Sequence, residues 1–194
     1  MLLNAIKKNR VIKKFYTKWG NKWVENKVRT FIDVLPQGVR ILDLGSGNCM
    51  VANYLMENGK TVTAIDVKNL SIIKEIVPVV YDGVTLPFKD DDFETVLVLT
   101  VLHHSRNPVE LIREAKRVGH KIIIIEDTYK NKFRKLVTQT MDTIVNFGHS
   151  EMTYQNRNEF EWEAIFKGEG LNIDSKITKK VLLFFQQTTY HLSK

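Results

Sequence analysis

The stretch that decides the fold is ILDLGSGNCM, residues 41–50. It runs from three apolar residues, Ile41, Leu42 and Leu44, set around Asp43, into a turn, Gly45-Ser46-Gly47, and on towards VANYLMENG. Apolar run, glycine turn and amphipathic segment in direct succession read as strand, loop and helix. In an open α/β sheet such a turn lies beyond the carboxyl end of a strand, where ligands bind.

The same alternation continues outward. Strands are expected at 39–44, 61–66, 77–81, 94–101 and 120–126, and helices at 49–58, around 69–75, and at 107–118. The runs VLVLTV and IIII show no polar alternation, which marks strands covered on both faces, as in a parallel sheet flanked by helices. Beyond residue 129 the spacing predicts helices at 130–146 and 158–167. Two strand-like runs follow, 171–178 and 180–189, joined by Lys179-Lys180. So short a connection makes an antiparallel hairpin, because a parallel crossover needs a dozen residues or more. The expected fold is therefore α/β and doubly wound, with five parallel strands finished by a C-terminal hairpin.

At 194 residues the chain fits one domain with a full-sized core. Cys49 is its one cysteine, so intrachain disulfides and Cys-rich zinc sites are excluded. The stretch MLLNAIKKNRVIKKF has no signal-peptide core and no segment reaches the ~18 apolar residues of a membrane span. A cytoplasmic protein is the expectation. The net charge of +7 is uneven: residues 1–30 hold nine Lys/Arg against Glu25 alone. Ile12, Phe15, Tyr16, Trp19 and Trp23 follow a helical rhythm there, which Gly20 is expected to interrupt. Val24, Val28, Phe31, Ile32 and Leu35 fall on one face of a second stretch, closed by Pro36-Gln37-Gly38. Residues 1–36 read as a basic helical arm and 37–194 as the main domain.

The glycine loop departs from a dinucleotide fingerprint, G-x-G-x-x-G, because Met50 stands where the third glycine belongs. Asp43 also opposes a pyrophosphate, which favours helix N-terminal N–H groups and no carboxylate. S-adenosylmethionine (SAM) reverses the second objection: it has no phosphate, and its sulfonium and amino groups welcome a carboxylate. Two glycines still allow close backbone approach. Asp66, 21 residues after Gly45 at the end of VTAID, suits the ribose hydroxyls. An NAD(P) oxidoreductase is the rival reading that these residues disfavour.

With YDGVTLPFKDDDFETVLVLTVLHHSRNP (81–108) and ELIREAKRVGHKIIIIEDTY (110–129) in register behind the loop, the chain resembles class I SAM-dependent methyltransferases, most closely the small-molecule type 11 group. FGHSEMTY (147–154) and FEWEAIFKGEGLNI (160–173) resemble the same group, and Cys49 departs from it where glycine is usual. The resemblance covers roughly residues 39–175. It implies a Rossmann-like sheet of order 3-2-1-4-5-7-6 and a cofactor site built from Asp43, Gly45, Ser46, Gly47, Asp66, Val67, Asp82, Gly83, Thr100 and Val101. In it, Asp82 and Gly83 would meet the adenine, and Thr100-Val101 would pass under the methionine. Glu114 and Arg117 read as structural.

The implied activity is transfer of methyl from SAM to a small-molecule acceptor (EC 2.1.1), releasing S-adenosylhomocysteine. The acceptor atom, oxygen, nitrogen or carbon, stays open. Positioning alone supplies much of such a rate, while a hydroxyl acceptor needs a base. His104 and His149 are the candidate bases at the ligand end of the sheet, and His103 reads rather as a packing residue. No D/N-P-P-Y motif holds a flat NH₂ group. Asp90, Asp91 and Asp92 read as a solvated turn more readily than as a metal cluster, and no metal is expected. The arm reads first as a lid or packed helix, bringing Tyr16 or Trp19 to the cofactor or substrate. Its other readings are peripheral contact with an anionic membrane and, least favoured, RNA binding. A SAM-binding module without catalysis and an RNA methyltransferase are the alternative functions.

Overall fold

The computed structural model describes residues 20–129, 157–181 and 185–194, the side chain of Phe185 excepted. They form one seven-stranded sheet in the order β3-β2-β1-β4-β5-β7-β6, the order expected above. β1 (Arg40–Leu44), β2 (Thr61–Asp66), β3 (Val79–Val80), β4 (Phe93–Leu99) and β5 (Gly119–Thr128) pair in parallel. β6 (Asn172–Val181) and β7 (Phe185–Ser193) form the antiparallel hairpin, with β7 against β5. The helices are α1 (20–28), α2 (Met50–Glu57), α3 (Pro108–Val118) and α4 (Glu159–Gly168).

The unalternating runs bury both faces. Ile122 and Ile124 face one cluster with Leu42, Val96, Trp162 and Phe166. Ile123 and Ile125 face the other with Ile41, Leu97, Val24 and Val28. Each fully buried Ile or Leu contributes about 1.5–3 kcal/mol, so the central strands hold most of the stability. α4 starts on a reciprocal cap: Asn158 Oδ1 accepts from Glu161 N (2.9 Å), and Glu161 Oε2 accepts from Asn158 N (2.7 Å).

Three expectations are corrected. No helix forms at 69–75. There Ser71 N donates to Asn69 Oδ1 (3.1 Å) and Ile73 N to Ser71 Oγ (3.1 Å), local bonds that compete with a helical ladder. The hairpin does not turn at Lys179-Lys180. These residues belong to β6, opposite Gln187 and Gln186, and the connection is 182–184. β4 stops at Leu99 and not at Val101, because Thr100 turns to φ +60°. Gly20 is the first described residue of α1, facing the Met50 side chain so closely that an added Cβ would lie 2.5 Å from its Cε, and the segment it was expected to interrupt lies outside the described residues. The helix expected at 130–146 and the FGHSEMTY loop lie outside the described residues.

Candidate functional site

The glycine turn is held by the strand beside it. Gly45 N and Ser46 N both donate to Ile65 O (2.9 and 3.0 Å). Gly47 N donates to Asp66 Oδ2 (2.7 Å). Asp66 therefore ends β2 and orders the turn after β1. Gly45 has φ +75°, and a Cβ there would lie 2.5 Å from Val101 Cγ2. Gly47 has φ +50°, and a Cβ there would meet nothing within 4 Å among the described residues. The turn is thus packed against Val101 at Gly45 and open at Gly47. Cys49, at φ +60°, takes a left-handed conformation that favours glycine. It is fully buried, near Ser46 Oγ (3.6 Å), and burial raises its thiol pKa, which gives it no thiolate chemistry.

Asp43 is 2% exposed. The Ala52 N–H, in the first turn of α2, bonds its carboxylate, yet Oδ2 has no hydrogen-bond partner among the described residues. Desolvation pushes its pKa up to about 7, with Lys27 opposing and Asp66 adding to the rise. Across the turn, Thr100 is a β-branched residue at φ +60°, a conformation that costs about 1–3 kcal/mol and clusters at functional sites. Its N–H is fixed to Ile125 O (2.6 Å) and its hydroxyl donates to Leu99 O (2.5 Å).

Glu126 holds the segment that follows. Fully buried, it accepts from Val101 N (3.1 Å) and Leu102 N (2.8 Å) through Oε1. Its Oε2 meets His103 Nδ1 at 2.5 Å. His103, 1% exposed, is thereby a packing residue that orients the 102–104 turn. His104 is half-buried on the same turn, its ring centroid 3.9 Å from that of His103.

At the other end of the site, Asp82 Oδ1 accepts from Val84 N (2.8 Å) and Thr85 N (3.0 Å). These bonds lower its pKa and shape its loop. A Cβ on Gly83 would lie 3.2 Å from Val67 Cγ1, so Val67, 48% exposed, and Gly83 form one apolar wall. Arg117 fastens this loop to α3 by donating to Leu86 O (3.0 Å) and Phe88 O (2.8 Å), and Glu114, paired with Arg117 on the same helix, accepts from Leu86 N (2.8 Å). Asp90, Asp91 and Asp92 each pair with a different cation, Arg117, Lys194 and Arg40. They lie at the amino end of the sheet, far from the glycine turn, with their charges taken up by these partners. No metal-ligating cluster occurs among the described residues, and none of their helices is long and apolar enough to cross a membrane.

The expected residues thus fall in two adjoining groups: Asp43, Gly45, Ser46, Gly47, Asp66, Thr100 and Val101, then Val67, Asp82 and Gly83. His149, Tyr16 and Trp19 lie outside the described residues. Sequence reading missed Lys27 and the bonds of Glu126. Lys27 is 5% exposed, and its Nζ donates to Thr100 Oγ1 (3.1 Å). The signal was its spacing: 24, 27, 28 and 31 share one helical face, and Val24, Val28 and Phe31 are buried.

The chain is similar to known proteins in part of its sequence and in its fold. Residues 42–121 match the methyltransferase-domain family. An uncharacterised Methanocaldococcus jannaschii protein, MJ1123, is 34% identical over 119 residues. That match spans 56% of each chain, so the chain covers little more than half of this relative. The fold is similar to a SAM-dependent methyltransferase from Methanosarcina mazei (TM-score 0.66, 16% identity, 84% of this chain and 96% of that one). It is also similar to magnesium protoporphyrin IX methyltransferase from Synechocystis with bound S-adenosylhomocysteine (TM-score 0.65, 16% identity, 96% and 88%).

Proposed function

On the premise that residues 42–121 are a methyltransferase domain carried on the class I fold, we propose that this protein transfers a methyl group from SAM to a small-molecule acceptor. The domain match and the methyltransferase neighbours support SAM as the cofactor. The observation that carries the reading is the turn itself: an open Gly47 backbone, flanked by a buried carboxylate with a free oxygen. A dinucleotide pyrophosphate has no use for that carboxylate, whereas a cationic ligand does.

The residues present fit SAM. Asp66 takes the ribose hydroxyls, Val67 and Gly83 face the adenine with Asp82, and Asp43, Ser46 and the Thr100-Val101 backbone border the methionine end. When bound, SAM supplies an electrophilic methyl group on a sulfonium. The chain's own residues then bind, orient and exclude water, which is where most of the rate of an in-line displacement arises. For a hydroxyl acceptor, His104 is the base on the described turn and His149 the second candidate. We read residues 1–36 as the cover of the site, with Tyr16 or Trp19 reaching the acceptor.

Thermal unfolding with SAM, S-adenosylhomocysteine and NADH tests the cofactor, since a ligand at 100 times its Kd stabilises by about 2.7 kcal/mol. The melting temperature is expected to rise with the first two and not with NADH; a rise with NADH alone sinks the reading. Release of homocysteine across a panel of acceptors then identifies the substrate. SAM binding without turnover on any acceptor would favour the binding-module alternative.

The Asp43 pKa sets a pH dependence. Its folded value, about 7, is raised from 3.8, so this group's contribution to stability is complete below pH 4 and is lost as pH rises to 7. Cation binding runs the other way, because only the ionised carboxylate attracts it. SAM affinity is expected to rise roughly fivefold to tenfold between pH 6 and pH 8. The rise should vanish in Asp43→Asn; a flat profile in the unmodified protein would remove Asp43 from the site.

A further inference from the structure

Two buried charges at the carboxyl end of the sheet keep bonding capacity that the described residues do not take up. An ammonium has three donors. Lys27 uses one, to Thr100 Oγ1 (3.1 Å), and otherwise lies over the face of Trp23, 4.0 Å from its centroid. Asp43, also buried, has Oδ2 without a partner. Buried groups in this state are uncommon and call for a ligand or another explanation.

The neighbouring carboxylates do not answer for Lys27. Both oxygens of Glu126 are engaged, by Val101 N, Leu102 N and His103 Nδ1. Asp127 Oδ1 accepts from Gln187 Nε2 (2.9 Å). Desolvation lowers the Lys27 pKa to about 8 against the opposing charges of Asp127, Glu126 and Asp43. So a cation with spare donors and a carboxylate with a spare acceptor lie within Coulombic reach of each other, beside the turn that opens at Gly47. The chemical complement is one group that offers an acceptor and a donor together, which is an α-amino carboxylate.

We propose that Lys27 is a specificity-determining residue that binds the carboxylate of the cofactor's amino-acid end, with Asp43 taking the ammonium. The inference rests on SAM being the cofactor. Lys27 lies outside residues 42–121, the part matching the domain family, so the assignment comes from this chain's own geometry. α1 then does more than pack Val24 and Val28 into the core. Through Lys27 it makes the site demand an intact methionine end.

Calorimetric titration with two ligands tests this. S-adenosylhomocysteine carries the amino-acid end; 5′-methylthioadenosine lacks it. A charge-assisted hydrogen bond corresponds to about a 10- to 100-fold affinity change. Lys27→Met is expected to weaken S-adenosylhomocysteine binding by that factor and leave 5′-methylthioadenosine within about twofold. Lys27→Arg should recover part of the loss. Equal weakening of both ligands, or of neither, overturns the assignment. The decarboxylated analogue of S-adenosylhomocysteine probes the unmodified protein, so the test holds even if the variants fold poorly. It should bind about as weakly as S-adenosylhomocysteine binds Lys27→Met, and equal binding of the two forms overturns the proposal. Binding of neither S-adenosylhomocysteine nor 5′-methylthioadenosine to the unmodified protein would overturn the cofactor reading beneath it.

Discussion

Gly45→Val is expected to lower S-adenosylhomocysteine affinity at least 100-fold. Gly45 sits at φ +75°, where an L side chain is strained, and its Cβ would fall 2.5 and 2.8 Å from the two methyls of Val101. Val101 cannot retreat freely, because its N–H is fixed to Glu126. The turn must shift instead, and a displacement of about 1 Å in a positioning element costs on the order of 100-fold. Gly47→Ala separates strain from occupancy. Its Cβ meets nothing within 4 Å among the described residues, so stability should fall by only about 1 kcal/mol for the left-handed conformation. The same methyl enters the open space where the ligand backbone would lie, so affinity should still drop sharply. Calorimetry and thermal unfolding of both variants give the comparison. Near-normal affinity in both would show that the ligand does not use this turn.

Glu126→Ala carries the largest expected loss of stability. The side chain is fully buried and joins three donors from one segment: Val101 N, Leu102 N and His103 Nδ1. Removing it strands two backbone N–H groups and an imidazole in the core. Breaking a buried charged network in this way costs about 3–5 kcal/mol. For a chain of this size that lowers the melting temperature by roughly 10 °C. Glu126→Gln keeps an acceptor for the two N–H groups and should lose about half as much. Urea unfolding followed by circular dichroism measures both. A cost under about 1 kcal/mol for Glu126→Ala would mean that the 100–104 turn is held by something else.

The fold is legible because its signals are redundant. Unalternating runs such as IIII imply two covered faces, the glycine turn implies strand then helix, and the short tail connection implies a hairpin. The failures have local causes. Composition favours a helix at 69–75, but Asn69 and Ser71 bond their own backbone there. Lys179-Lys180 looks like a turn because its charges sit on β6, whose residues are mostly exposed; polarity alone does not separate an exposed strand from a loop. In the candidate site, Asp43, the glycines and Asp66 are readable because a strand, a tight turn and a strand-end acid fix residue types and spacing, and Asp66 does bond the turn through Gly47 N. Lys27 is harder. It is one of nine cations in the first 30 residues, and a long flexible side chain normally keeps its charge in water. Only its register with Val24, Val28 and Phe31 marks it as inward. Glu126 requires knowing that β5 ends beside the turn after β4, which is tertiary information.

A crystal structure of the protein with S-adenosylhomocysteine is the most direct measurement. The expected result has the ribose hydroxyls on the Asp66 carboxylate and the adenine against Val67 and Gly83. The amino-acid end should cross the Gly45–Gly47 turn toward Asp43 and Lys27. Ligand density away from the carboxyl ends of β1, β2 and β4, or a ribose out of reach of Asp66, would contradict the account.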